Sequence, residues 1–201
     1  MKKLLGILVL GLMFISAPSK ADDVSDFEIE GMSIGDSLLD YTSEKEIKEK
    51  MITDYNSKTY SRYTLKSINS KNFELYDDIQ VHFKTQDKNY IIAAASGAIY
   101  NDNKFDECLD LKEKVIDDTK KILPNLYSYD GGTSPWLDID SSGKTITSTY
   151  YFIFDRYKKY SDFIELGCYD WNEELNEGTD HLKVAVNSKE FDQWLTEEAF
   201  K

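Results

Sequence analysis

The sequence predicts an α+β domain: an antiparallel sheet built from a hairpin and a meander, with a long central helix and a C-terminal helix set against it. Three observations carry the prediction. From Asn103 to Leu123, Phe105, Cys108, Lys112, Val115, Ile116 and Thr119 recur at i, i+3, i+4 spacing while Asp106, Glu107, Asp110, Glu113 and Lys114 fill the other face, as in an amphipathic helix. Between Leu75 and Lys84, Ile79, Val81 and Phe83 alternate with Gln80, His82 and Lys84, the period of a half-buried strand. Strand-like runs separated by turn residues then succeed one another up to Asn187.

The first residues stand apart from this pattern. Lys2 and Lys3, the apolar run Leu4 to Ala17 and the small-x-small triplet Ser19-Lys20-Ala21 have the layout of a secretory signal peptide spanning residues 1–21, which leaves 22–201 as a single α+β domain. The competing reading is an uncleaved anchor, but the run is shorter than the roughly 20 residues a spanning helix needs. A cysteine near the cleavage site, the mark of a lipoprotein, is missing. The expected location is the periplasm or the exterior. Removing Lys2, Lys3 and Lys20 with the leader takes the formal charge from −13 to −16. That sign argues against nucleic acid, whose phosphates need lysine and arginine, and against anionic membrane surfaces. Solubility is its plainest consequence.

Cys108 and Cys168 are the only cysteines. In an oxidising compartment an isolated pair reads as one disulfide. The alternatives are two buried thiols or half a metal site. Zinc asks for further Cys or His ligands at short spacing, and His82 and His181 are scattered, so no metal and no cofactor is expected.

Between Phe27 and Lys50, "GMSIGDS" lacks the lysine of a phosphate-binding loop. Gly31 and Gly35 are read instead as turns leading into a helix from Asp36 to Lys50, with Ser43 and Glu46 as a capping box. Thr59 to Ile68 is weakly strand-like, and Leu75 to Lys84 with Tyr90 to Tyr100 forms a hairpin across "TQDKN". His82 should face solvent with Gln80 and Lys84. Asn103 is the expected cap of the central helix, and Pro124 stops it. "SYDGGTSP" reads as a loop. Strands are expected at Trp136 to Asp140, Lys144 to Asp155, Asp162 to Trp171 and His181 to Asn187. Asn187 or Ser188 then caps a last helix with Phe191, Trp194 and Leu195 on its apolar stripe.

Motifs of chemistry are sparse. "SSGKT" at 141–145 ends like a Walker loop, but Asp138 holds the place of its first glycine and a strand follows. "DIDSSG" at 138–143 opens like a calcium loop, with Asp138 and Asp140 at its first and third positions, yet Thr149 occupies the position of the bidentate glutamate. A polar hairpin turn explains it better, with weak calcium binding left open. Around Ser96, "AASGA" is no nucleophile elbow. Paired carboxylates such as Asp77 with Asp78 serve a glycosidase only when two converge in a cleft.

A binding surface is suggested by strand alternation. If Ile164, Leu166 and Cys168 face the core, then Tyr169 and Trp171 face the opposite way. Lys183 and His181 on the last strand fall on that side too, giving a half-open patch of Tyr169, Trp171, Lys183 and His181 for a protein or small-molecule partner. Trp and Tyr dominate binding hot spots. The competing expectation is that the last helix lays Phe191, Trp194 and Leu195 over this face.

"GMS" at 31–33, followed by a helix, resembles the N-terminal lead-in of BamE-like outer-membrane assembly proteins, although the lipid-bearing cysteine of that group is missing here. The whole chain, with 22 lysines against two arginines and plentiful Asn, Ile and Tyr, resembles signal-bearing exported proteins of AT-rich bacteria. The first resemblance points to envelope assembly, and the second implies a location and no activity. The expected function is therefore a non-catalytic exported binding module. An exported hydrolase using acidic residues and a cell-envelope assembly factor are the alternatives.

Overall fold

The computed structural model describes residues 23–53, 59–66, 75–101, 104–175 and 178–199. The leader assigned to residues 1–21 and the cap assigned to Asn103 lie outside them. The chain begins with a hairpin of β1 (Glu28–Ile29) and β2 (Met32–Ser33), and both residues of its turn, Glu30 and Gly31, have positive φ (50° and 82°). This is the mirror-image turn that a two-residue hairpin needs, so Gly31 serves a hairpin rather than a helix start. The continuous helix expected over Asp36 to Lys50 is instead a 3-10 turn, Leu38–Asp40, and a short α1, Glu44–Lys50. Two caps explain the break. Ser37 Oγ accepts from the Leu39 N–H and Ser43 Oγ from the Glu46 N–H, so each serine starts a separate helix.

An eight-stranded antiparallel sheet follows. β3 (Ile52–Thr53), β4 (Tyr60–Lys66), β5 (Asp78–Lys84) and β6 (Ile92–Tyr100) form one meander. β7 (Tyr127–Pro135), β8 (Ile146–Ile153), β9 (Phe163–Asp170) and β10 (His181–Asn187) form a second. The order across the sheet is β3-β4-β5-β6-β10-β9-β8-β7, so β10 joins the halves.

Within the second meander one strand differs from the sequence reading. "SYDGGTSP" forms most of β7, and Trp136 to Asp140 belongs to the connection after it. Turn-forming residues survive in β7 because it is an edge strand. Its pairing with β8 shifts register between Asp130 and Gly132, a bulge that Gly132 accommodates at φ 79°.

α2 (Phe105–Ile122) crosses the first face of the sheet. Its buried stripe of Cys108, Val115 and Ile116 meets Ile79, Val81, Leu166 and Leu182 in the main core, to which Ile29, Leu38 and Ile47 also contribute. Cys108 and Cys168 are bonded, with their Cα atoms 5.9 Å apart, so α2 is stapled to β9. Lys112 lies on the same stripe, only 3% exposed, and donates to Ser148 Oγ at 2.6 Å. Burial lowers its pKa, since an ammonium loses hydration there.

α3 (Lys189–Glu197) starts at Ser188, whose Oγ accepts from the Phe191 N–H. Phe191 and Trp194 pack on Tyr60, with ring centroids 5.1 and 4.9 Å away, and close a small second core over Ala94. The ring of His82 lies 4.8 Å from Phe191. His82 is thus half-buried under α3 instead of facing water, because α3 covers the second face of β5 at that end.

Candidate binding site

The second face of the sheet has two ends, and α3 covers the one carrying Tyr60, His82 and Ala94. At the other end cross-strand pairing sets Tyr100 of β6 beside His181 of β10, and His181 beside Tyr169 of β9. The competing expectation, that α3 lies over Tyr169 and Trp171, holds for the face but not for the end.

His181 and Tyr169 are stacked, 4.9 Å between centroids and 11° between planes. Trp136 lies 5.5 Å from Tyr169 and 5.7 Å from Trp171, tilted by 54° to each. Tyr100 meets His181 edge-on at 6.5 Å. The result is a contiguous corner of five rings from three strands and two loops. All four residues expected to form the patch are brought together: Lys183 Nζ lies 5.9 Å from the Tyr169 ring centroid and 3.4 Å from Glu165 Oε1.

Each ring is fixed by a specific local cause. Tyr169 folds back along β9 over Gly167, where a Cβ would come within 2.8 Å of the ring, and its hydroxyl donates to Glu165 Oε1 at 2.7 Å. The glycine makes room for the phenol. Trp171 packs so tightly on Gly178 that any Cβ there would overlap the indole, and its backbone N–H donates to Asp180 Oδ1 at 2.8 Å. Trp136 is carried by the 136–145 connection, which Asp140 organises. Its carboxylate accepts from the Ser142 and Thr145 backbone and hydroxyl groups and from Asn172 Nδ2, all within 3.1 Å. These donors, Ser142 Oγ foremost, hold the Asp140 pKa far below the usual carboxylate range. The stretch that resembled a calcium loop therefore spends its central carboxylate on its own turn. Among the described residues no group of three or more His, Cys, Asp or Glu could hold a metal ion.

Polar capacity remains at His181. His181 Nδ1 lies 2.6 Å from the Thr179 carbonyl, so that nitrogen carries the proton and Nε2 presents a lone pair. Burial depresses its pKa, which keeps the ring neutral. The Trp171 indole N–H is buried without a hydrogen-bond partner. Nearby, Asp170 is shifted up by burial and then by Asp180 and Glu173, and burial followed by Asp78 pushes Tyr100 to about 12.

Trp136, Tyr100 and Glu165 are members of the site that the sequence reading missed. Glu165 was legible, since it alternates with Leu166 beside Tyr169. Trp136 was not, because it enters from a connection read as a strand.

No family model matches the chain, and no curated protein and no solved structure matches it significantly. Among the described residues no helix is long and apolar enough to cross a membrane.

Proposed function

We propose that this chain is a non-catalytic binding domain, exported to the periplasm or beyond, whose aromatic corner takes an uncharged ring-bearing ligand such as a sugar. The observation that carries this reading is the pairing of aromatic rings with the unspent lone pair of His181. The corner offers the partly exposed rings of Trp136, Trp171, Tyr100 and His181 and a lone pair at His181 Nε2. Sugars present C–H faces to aromatic rings and hydroxyls that can donate to a ring nitrogen, so they use both. Glu165, Asp170 and Asp180 around the rings weigh against an anion. The disulfide suits the location, because such bonds persist in oxidising compartments.

Tryptophan fluorescence tests the proposal directly. The chain has three tryptophans, two of them in the corner and Trp194 on α3. A Trp194→Phe variant therefore reports on the site alone. Titration with methyl glucoside, N-acetylglucosamine and cellobiose is expected to give a saturable change for at least one sugar, lost in Trp171→Ala with the far-UV spectrum intact. No saturable change with any of the three, or a change that survives Trp171→Ala, would sink the reading.

A further inference from the structure

A second concavity lies at the opposite end of the sheet from the aromatic corner. It is a cleft of about 620 Å³ between residues 125–128, where α2 hands over to β7, and residues 153–157, where β8 leaves the sheet. Arg156 stands in it and is one of only two arginines in the chain. Its guanidinium lies 5.4 Å from the ring centroid of Tyr127 and 4.9 Å from that of Tyr157, and donates to the Tyr157 hydroxyl at 2.7 Å.

Arg156 has no counter-ion among the described residues. The chain carries 37 acidic residues, and its exposed lysines take them up readily: Lys48 pairs with Glu44, Lys121 with Asp118, Lys144 with Glu174 and Lys159 with Glu197. Among the described residues no carboxylate comes within 4.0 Å of Arg156. Its neighbour Asp155 is already engaged by Lys158 at 3.1 Å and by the Tyr157 N–H, and Lys158 foremost lowers its pKa. The two tyrosines flank the guanidinium, and one hydrogen bond to Tyr157 leaves most of its five N–H donors unspent. Leu126, Ile153 and Phe154, half-buried, supply apolar wall in the same cleft.

We infer that this cleft is a second binding site, for a small organic acid whose carboxylate meets the Arg156 fork and whose apolar body lies against Leu126, Ile153 and Phe154. A planar fork matches a carboxylate in two parallel hydrogen bonds, which a lysine cannot reproduce. The site is independent of the aromatic corner, since the two share no residue.

Benzoate, with benzamide as its uncharged isostere, is the probe. With two arginines in the chain, the side-chain Nε–H signal of Arg156 is assignable by nuclear magnetic resonance from its loss in Arg156→Lys. Benzoate is expected to shift this signal and the ring signals of Tyr127 and Tyr157 saturably, leaving the indole signals of Trp136 and Trp171 in place. Benzamide should bind about tenfold or more weaker, the loss that follows from removing charge-assisted hydrogen bonds. Arg156→Gln, a change at an exposed side chain that should leave the melting temperature unaltered, is expected to abolish the tyrosine shifts. Equal binding of benzoate and benzamide, unsaturable shifts, or tyrosine shifts that persist in Arg156→Gln would overturn the inference. Undiminished affinity in Arg156→Lys, read from the tyrosine rings, would overturn the assignment to the guanidinium fork.

Discussion

The imidazole of His181 lies parallel to the phenol of Tyr169 with 4.9 Å between centroids, while its Nδ1 is tied to the Thr179 carbonyl at 2.6 Å. A stack and a hydrogen bond together fix the ring in one tautomer and one plane. The geometry suits the neutral ring, and burial supplies the reason: charging it would strand a cation with little water around it.

A pH dependence of stability follows. The folded pKa of His181 lies below the ordinary 6.5, so below that value the unfolded chain binds a proton that the folded one resists. Stability is complete above about pH 6.5 and is lost as pH falls from there towards the depressed folded value. Urea unfolding at intervals from pH 7.5 to 5 should show this decline in the parent and a flatter profile in His181→Gln. Identical slopes would refute the assignment.

Gly167 and Tyr169 are expected to be energetically coupled. Gly167→Ala puts a methyl 2.8 Å from the ring that crosses it, and overpacking of this kind costs about 1–3 kcal/mol. In a Tyr169→Ala background the obstacle is gone and the penalty should largely vanish, giving a coupling of roughly 0.5 kcal/mol or more in a double-mutant cycle. Additive losses would show that the phenol does not occupy the glycine's open side.

The disulfide closes a sequence separation of 60 residues between α2 and β9. On chain-entropy grounds its removal by Cys108→Ala with Cys168→Ala costs about 4 kcal/mol. At 2–4 °C per kcal/mol for a chain of this size, the melting temperature should fall by roughly 10 °C. A shift of only a degree or two would mean that α2 is held by packing alone.

Asp140 links the fold to the site, because its hydrogen bonds shape the connection that carries Trp136. Asp140→Ala should lower the melting temperature and shift Trp136 emission to the red as the indole loses its support. The carboxylate's folded pKa lies well below the ordinary 3.8, so its contribution is present above about pH 3.8 and fades as pH drops further. The gap between parent and variant in urea midpoints should therefore be wide at pH 7 and narrow in strong acid. Equal gaps at both would assign the role to packing.

Much of this architecture was legible in the residues themselves. The stripe through Cys108, Val115 and Ile116 defined α2 to within two residues at each end, and the alternation in β5 and β10 set the faces of the sheet. That same alternation placed Tyr169, Lys183 and His181 on one surface. Elements shaped by long-range contacts were misread. β7 is full of turn formers and is a strand because β8 and a bulge impose it. Trp136 joins the site through a turn that Asp140 nucleates from both sides, a contact no local pattern announces. The end of the face under α3 depended on how the chain leaves β10, which Ser188 decides by capping the helix at once.

The position of β10 governs when this protein can fold. β10 pairs with β6 across separations of 81 to 93 positions, and among the described residues this pairing joins the two meanders. A nascent chain that has reached β9 owns both half-sheets, yet the apolar side chains Leu182 and Val186 that seal the middle have not been made. Vectorial synthesis therefore cannot yield the finished sheet in stages, and the slow, non-local closure of β10 comes last.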